Sequence, residues 1–458
     1  MAPRSSPVLS IVIGILCAGL IQLTSASRPS PRDAPPSQRT LISSNTDSLA
    51  NSLLASLNAS GLAVAVVRQD SSVPGGWRRE FGSYGIAKDD GAPVTPDTLF
   101  AIASNSKLFL AYSVGLLVSN KTLAQMRGKD LTWTTKAKDI FPEWGLMDDT
   151  ASQETDIRDM LSHRIGLPSH LYALGRGSAG RAEVIANLKF LRPSAEFRQI
   201  FQYHNPGYET LARTPEVLLN QSYESYIAQH LFKPLNMSSS TFSVKEAEAS
   251  GKLADGFHLD MRDQVKGVNG TRTAIIPFFA RNGTERSWAG AGGVISSARD
   301  LSIWVSMLLN KGRHPETNQT VVPEEVVERC ASGMTIFSAK PMYPEMVCRT
   351  VRFQVPLESL IEPKSPLVYG HAQTRYSYRG HEVIEHGGGL PGFISQVTRF
   401  PNDNLAIVTL TNDYNAVTLT DAVKWRIVDE NLGLPEIDWS KRYTSTFIKI
   451  RASDASLL

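Results

Sequence analysis

Cysteine is nearly absent: the 458 residues hold three, Cys17, Cys330 and Cys348, with no CxxC pair. That excludes a disulfide-stapled scaffold and a cysteine-ligated zinc site. No long basic run occurs and the formal net charge is only +3, so nucleic acid is not an expected partner. Beyond Leu20 no further long apolar stretch follows, and no stable membrane insertion is expected of the mature chain. No internal repeat is visible. A hydrophobic content of 42% beside 20% charged residues is that of a globular chain with a real core.

The first segment that is present reads as an address. Arg4 precedes the apolar run Val8 to Leu20, and Thr24-Ser25-Ala26 offers small residues for cleavage, so residues 1–26 are expected to be a signal peptide. A signal anchor is the alternative. Seven Asn-x-Ser/Thr sequons, at Asn58, Asn120, Asn220, Asn236, Asn269, Asn282 and Asn318, fit a secreted, N-glycosylated product. Cys330 and Cys348, 18 residues apart, could form a disulfide or stay as two separate thiols. Residues 27–48, with Pro29, Pro31, Pro35 and Pro36, read as a polar linker or a cleaved pro-segment.

The fold proper is expected over residues 49–435. Gly61 to Val67 and Arg79 to Ala87 read as strands around a Gly75-Gly76 turn. Helical patterns dominate from Leu108 to Leu309. Strands return after Leu367, notably Phe393 to Phe400 and Leu405 to Thr411 around Asn402-Asp403, before a last helix at Leu419 to Leu432. The fold class is therefore α/β of the α+β kind: an antiparallel sheet built from both chain ends, flanked by helices, with a mostly helical insertion. Residues 436–458 are expected to be a tail.

Three patterns carry chemistry. Ser104 stands at a loop-to-helix transition with Lys107 one turn later, on the same face. No other lysine in the chain follows a serine by three. A serine hydroxyl needs a partner to remove its proton, and a helix start offers unpaired N–H groups for an oxyanion. Tyr203 and Asn205 form the second pattern, a phenol and an amide in a segment that Pro206 and Gly207 are expected to keep irregular. Ammonium neighbours would favour a phenolate at Tyr203 and make it a general base. The third is His386-Gly387-Gly388-Gly389, read as a histidine at the rim of a glycine loop before a strand. His381 and His386 are five apart, not four, so a zinc helix is rejected, and no cofactor motif is found.

In that order, Ser104-x-x-Lys107, Tyr203-x-Asn205 and His386-x-Gly388 resemble the motif set of serine β-lactamase-like and penicillin-binding proteins. The likeness is to the class C branch with its esterase and D-peptidase relatives, and to secreted fungal members. Val94 to Phe100, Met160 to Pro168, Leu231 to Met237 and Gly290 to Leu301 are similar to the family's connecting text. The resemblance implies a β-lactamase/transpeptidase-like fold and residue roles. Ser104 is the nucleophile, Lys107 and Tyr203 share the proton work, and Asn205 and His386 bind substrate. The N–H groups of Ser104 and Gly389 form the oxyanion hole.

Antibiotic-resistance members carry Lys-Thr-Gly where this chain has His386-Gly387-Gly388. An imidazole of ordinary pKa about 6.5 is mostly neutral at pH 7. It weakens carboxylate recognition by on the order of 1 to 2 kcal/mol. The expected activity is therefore hydrolysis of a small-molecule ester, lactone or amide through an acyl-enzyme, rather than β-lactam turnover, with an ionisation near His386 governing its pH dependence. An acyltransferase and a non-catalytic binder are the alternatives.

Overall fold

The computed structural model describes residues 40–123, 130–170, 180–260, 270–276, 278, 285–339, 366–439 and 441. An eight-stranded antiparallel sheet forms from β1 Gly61–Gln69, β2 Trp77–Gly85, β3 Thr335–Ser338, β4 Leu367–Tyr369, β5 Thr374–Tyr378, β6 His381–Leu390, β7 Phe393–Phe400 and β8 Leu405–Thr411. Its order is β2-β1-β8-β7-β6-β5-β4-β3, so the two chain ends meet where β1 pairs with β8. The expected fold class is the observed one.

The unbroken apolar run of β1 follows from its position. Ala63, Ala65 and Val67 enter one core while Leu62, Val64 and Val66 enter another on the opposite face. A strand covered on both sides has no polar face to alternate with. The second core is closed by α1 Ser44–Ser56 and by Leu419, Val423 and Trp425 of the C-terminal helix Val417–Leu432. The first is filled by the helical region, including α2 Ser106–Ser119, whose residues from Ser106 to Gly115 are all buried. A helix apolar all round belongs in the middle of a core.

Four boundaries differ from expectation. Residues 44–48 are not linker: Ser43 caps α1 by accepting the Thr46 N–H at 3.1 Å. Pro206 and Gly207 do not interrupt regular structure but lie in the first turn of α3 Asn205–Ala212, where proline's missing N–H costs nothing. The three glycines lie inside β6 rather than before a strand. The expected tail begins as part of the body: Trp439 is buried, its ring 5.6 Å from that of Trp425. Residues 1–39 and 442–458, and with them the signal segment and the rest of the tail, lie outside the described residues.

Candidate active site

The chain reaches Ser104 through a strained turn. After the strand Leu99–Ala101, Ala103 adopts φ +53°, a conformation that costs a residue with a Cβ about 1 to 3 kcal/mol. The surroundings over-determine it. Ile102 N–H donates to the Val294 carbonyl at 3.0 Å, and Val294 N–H donates to Ser106 Oγ at 2.9 Å. Asn105 Nδ2 donates to Ser395 Oγ at 2.8 Å, and that hydroxyl donates to the Ile102 carbonyl at 2.6 Å. The turn is thus tied both to the helical region and to β7. Ser104 is half-buried and sits in the short 3-10 turn Ala103–Asn105 leading into α2, where the first N–H groups have no partner within the helix.

Lys107 follows one turn later, fully buried. Its Nζ lies 3.3 Å from Ser104 Oγ and donates to the Ala291 carbonyl at 2.7 Å. Burial pulls its pKa down to about 7, against the opposing pull of Glu209. An amine that close to a hydroxyl, and neutral in a large fraction at pH 7, can take its proton.

Tyr203 comes from the other side, with Lys107 Nζ 4.7 Å from its ring centroid. Burial raises its pKa above the ordinary phenol value, and a hydrogen bond with Ser104 only partly offsets this. The expected phenolate is therefore corrected: Lys107 stands over the ring, but burial outweighs it and favours the protonated phenol. It is held from behind by His163, whose ring centroid lies 4.3 Å away and whose Nδ1 accepts the His204 N–H at 2.9 Å. His204 in turn caps α3 by accepting the Gly207 N–H at 3.1 Å. Asn205 is the first residue of that helix, half-buried.

His386 is not at a rim. It is buried, its Nε2 2.9 Å from the Tyr369 hydroxyl, and burial with the nearby Lys107 pushes its pKa down to about 3. Both influences favour the neutral imidazole in the physiological range and so oppose the ionisation expected there. Next to it β6 loses one neighbour: β5 pairs only with His381 to Glu385, and the free edge beyond faces the nucleophile turn. A Cβ on Gly388 would stand 2.3 Å from the Ile102 carbonyl oxygen, which explains that glycine. Gly389, paired with Ile394 across the β6–β7 hairpin, follows it along the edge beside Ser104's turn.

Sequence reasoning missed Glu209. It is fully buried on α3, accepts the Ala291 N–H at 2.7 Å, and burial raises its carboxyl pKa to about 7, with Arg181 pulling the other way. The signal was available, since a helix starting at Asn205 puts position 209 on the same face.

Of the sequons, Asn120, Asn220, Asn236 and Asn318 are exposed, while Asn58 is half-buried and donates to the Gly270 carbonyl at 3.2 Å. Asn58, Asn220, Asn236 and Asn318 have positive φ, a conformation asparagine tolerates, so each has a backbone reason to be asparagine. Asn269 and Asn282 lie outside the described residues. So does Cys348; Cys330 is buried.

Residues 46–430 match the profile of the family described as Beta-lactamase. An unguisins hydrolase of Aspergillus violaceofuscus is 26% identical over 407 residues, 86% of this chain and 66% of that protein, so the chain spans just under two thirds of that relative's length. Among solved structures, the D-amino acid amidase of Ochrobactrum anthropi is similar with a TM-score of 0.60 and 19% identity, over 85% of this chain and 98% of that one. A class C β-lactamase of Rhodobacter sphaeroides is similar with a TM-score of 0.58 and 20% identity, over 85% and 100%.

Proposed function

Because the chain belongs to the beta-lactamase family, we propose that it is a serine hydrolase that opens an ester, lactone or amide through an acyl-enzyme on Ser104. The observation that carries this is the buried Lys107 amine, with its pKa near 7, 3.3 Å from Ser104 Oγ. Lys107 takes the hydroxyl proton as Oγ attacks the carbonyl carbon. The oxyanion develops toward the N–H groups of Ser104 and Gly389. The Tyr203 hydroxyl hands its proton to the leaving group and is resupplied from the Lys107 ammonium, and water then releases the acid by the reverse path. Asn205 orients the carbonyl side of the substrate.

A neutral His386 engaged by Tyr369 supports a substrate without a carboxylate at that place. Two exposed aromatic side chains flank the centre: Phe337, 4.9 Å from Phe201, and Tyr414, 3.8 Å from where a Gly389 Cβ would be. They suit an acyl group with an apolar body. Secretion belongs to the same reading, supported by the apolar run Val8 to Leu20 and the exposed sequons. The test is hydrolysis of graded p-nitrophenyl acyl esters, with D-alanyl p-nitroanilide and nitrocefin alongside, by wild type and Ser104→Ala. Serine-dependent ester release with little nitrocefin turnover is expected, and equal rates for the two proteins would overturn the proposal.

A further inference from the structure

We infer that Glu209 is a positioning residue for the base, which together with Lys107 grips Ala291 and supplies the negative charge facing the Lys107 ammonium; the inference rests on the acyl-transfer reading above. Lys107 Nζ donates to the Ala291 carbonyl at 2.7 Å, and the N–H of the same residue donates to Glu209 Oε1 at 2.7 Å. The short helical turn Ala289–Gly292 is thus held by two buried titratable side chains, an amine and a carboxyl. Its close approach needs a glycine: a Cβ on Gly290 would stand 2.8 Å from the Ala212 Cβ and 3.5 Å from Glu209 Oε1.

Glu209 faces two cations, Arg181, whose pull on its carboxyl is the larger, and Lys107. That guanidinium already pairs with Glu216 at 2.6 Å and Glu224 at 2.5 Å, and its Nε stands 3.5 Å from Glu209 Oε2. Among the described residues neither of those last two atoms has a hydrogen-bond partner. Toward Lys107, in contrast, the remaining titratable neighbours are uncharged: His163 and His386 are held neutral, and burial keeps Tyr203 and Tyr208 protonated. Tyr223, also near Glu209, is likewise protonated. When Lys107 takes the serine proton, a cation forms where water cannot solvate it. Glu209 is the carboxylate among the described residues whose charge acts on it.

The experiment is the pH profile of kcat/KM on an activated ester for wild type, Glu209→Gln and Glu209→Asp, with a thermal melt of each. Glutamine keeps an acceptor for the Ala291 N–H but loses the charge. The expected result is an acid limb displaced by about one unit toward lower pH, since removing a nearby anion favours the neutral amine. A plateau roughly tenfold lower is expected with it, on the scale of one proton-transfer partner's tuning. Aspartate, which keeps the charge, should hold the limb near its wild-type place. A folded Gln variant with an unmoved limb would overturn the inference, as would an Asp variant displaced as far as the Gln variant. Wild type with no Ser104-dependent turnover would overturn it together with the acyl-transfer reading.

Discussion

Gly388 runs so close under Ile102 that a methyl group on it would stand 2.3 Å from the Ile102 carbonyl oxygen and 2.5 Å from Ser395 Oγ. Both of those atoms belong to the hydrogen-bond chain that holds the nucleophile turn, Asn105 to Ser395 to Ile102. The third motif is therefore part of what fixes the first.

Gly388→Ala is expected to lose about 1 to 3 kcal/mol of stability, the usual cost of overpacking. Because the clash displaces the turn bearing Ser104, activity should fall on the order of a hundredfold. Gly389→Ala is the control, since it keeps the backbone N–H and its Cβ meets only side-chain atoms, the flexible end of Ile394 at 3.3 Å and the Tyr414 ring at 3.8 Å. Denaturant unfolding and ester hydrolysis of the two variants check this; equal damage from both would contradict it.

Activity is expected to rise with pH through about 7, as the Lys107 ammonium gives up its proton to become a base, in the same range in which the Glu209 carboxyl beside it ionises. Burial lowers this pKa, so the limb lies well below the range of an ordinary lysine. His386, pushed to about 3, is already neutral there. His386→Gln should accordingly leave the limb where it is, and a limb that vanished in that variant would assign the ionisation to the histidine instead.

The sheet was readable from sequence because its strands are runs rich in β-branched and apolar residues bounded by turn residues: Phe393–Phe400 and Leu405–Thr411 have the limits their composition suggests. The serine and its lysine were readable because three-residue spacing on a helix is a local property. Burial is not local. Whether Tyr203 ionises, or whether His386 stands at a rim, depends on what other segments bring over it: Lys107 and His163 for the tyrosine, Tyr369 for the histidine. Glu209 was passed over for the same reason, since its partners Ala291 and Arg181 are 82 and 28 residues away along the chain.

Tyr203→Phe removes the hydroxyl but keeps the ring between Lys107 and His163. Stability should change by less than about 1 kcal/mol, while acylation slows by roughly 10² to 10⁴, the range of one acid–base partner. Single-turnover rates on an ester and on an anilide separate the roles. The anilide, whose leaving group needs the proton, should lose more. Equal losses would argue against Tyr203 as the proton donor to the leaving group.

The apolar flanks make a prediction about chain length. Phe337 and Tyr414 are exposed, at 42% and 48%, yet each packs beside a residue of the centre's frame, Phe201 on one side and Gly389 on the other. A large apolar side chain left in water forgoes about 25 cal/mol for each Å² that a ligand would cover. If the acyl group covers them, lengthening it from acetyl toward octanoyl should raise kcat/KM in wild type. Phe337→Ala or Tyr414→Ala should flatten that rise through KM while leaving acetyl ester turnover within about twofold, because a remote apolar contact binds ground and transition states alike. A series whose slope is the same in wild type and both variants would remove these side chains from substrate recognition and leave the acyl chain to bind elsewhere.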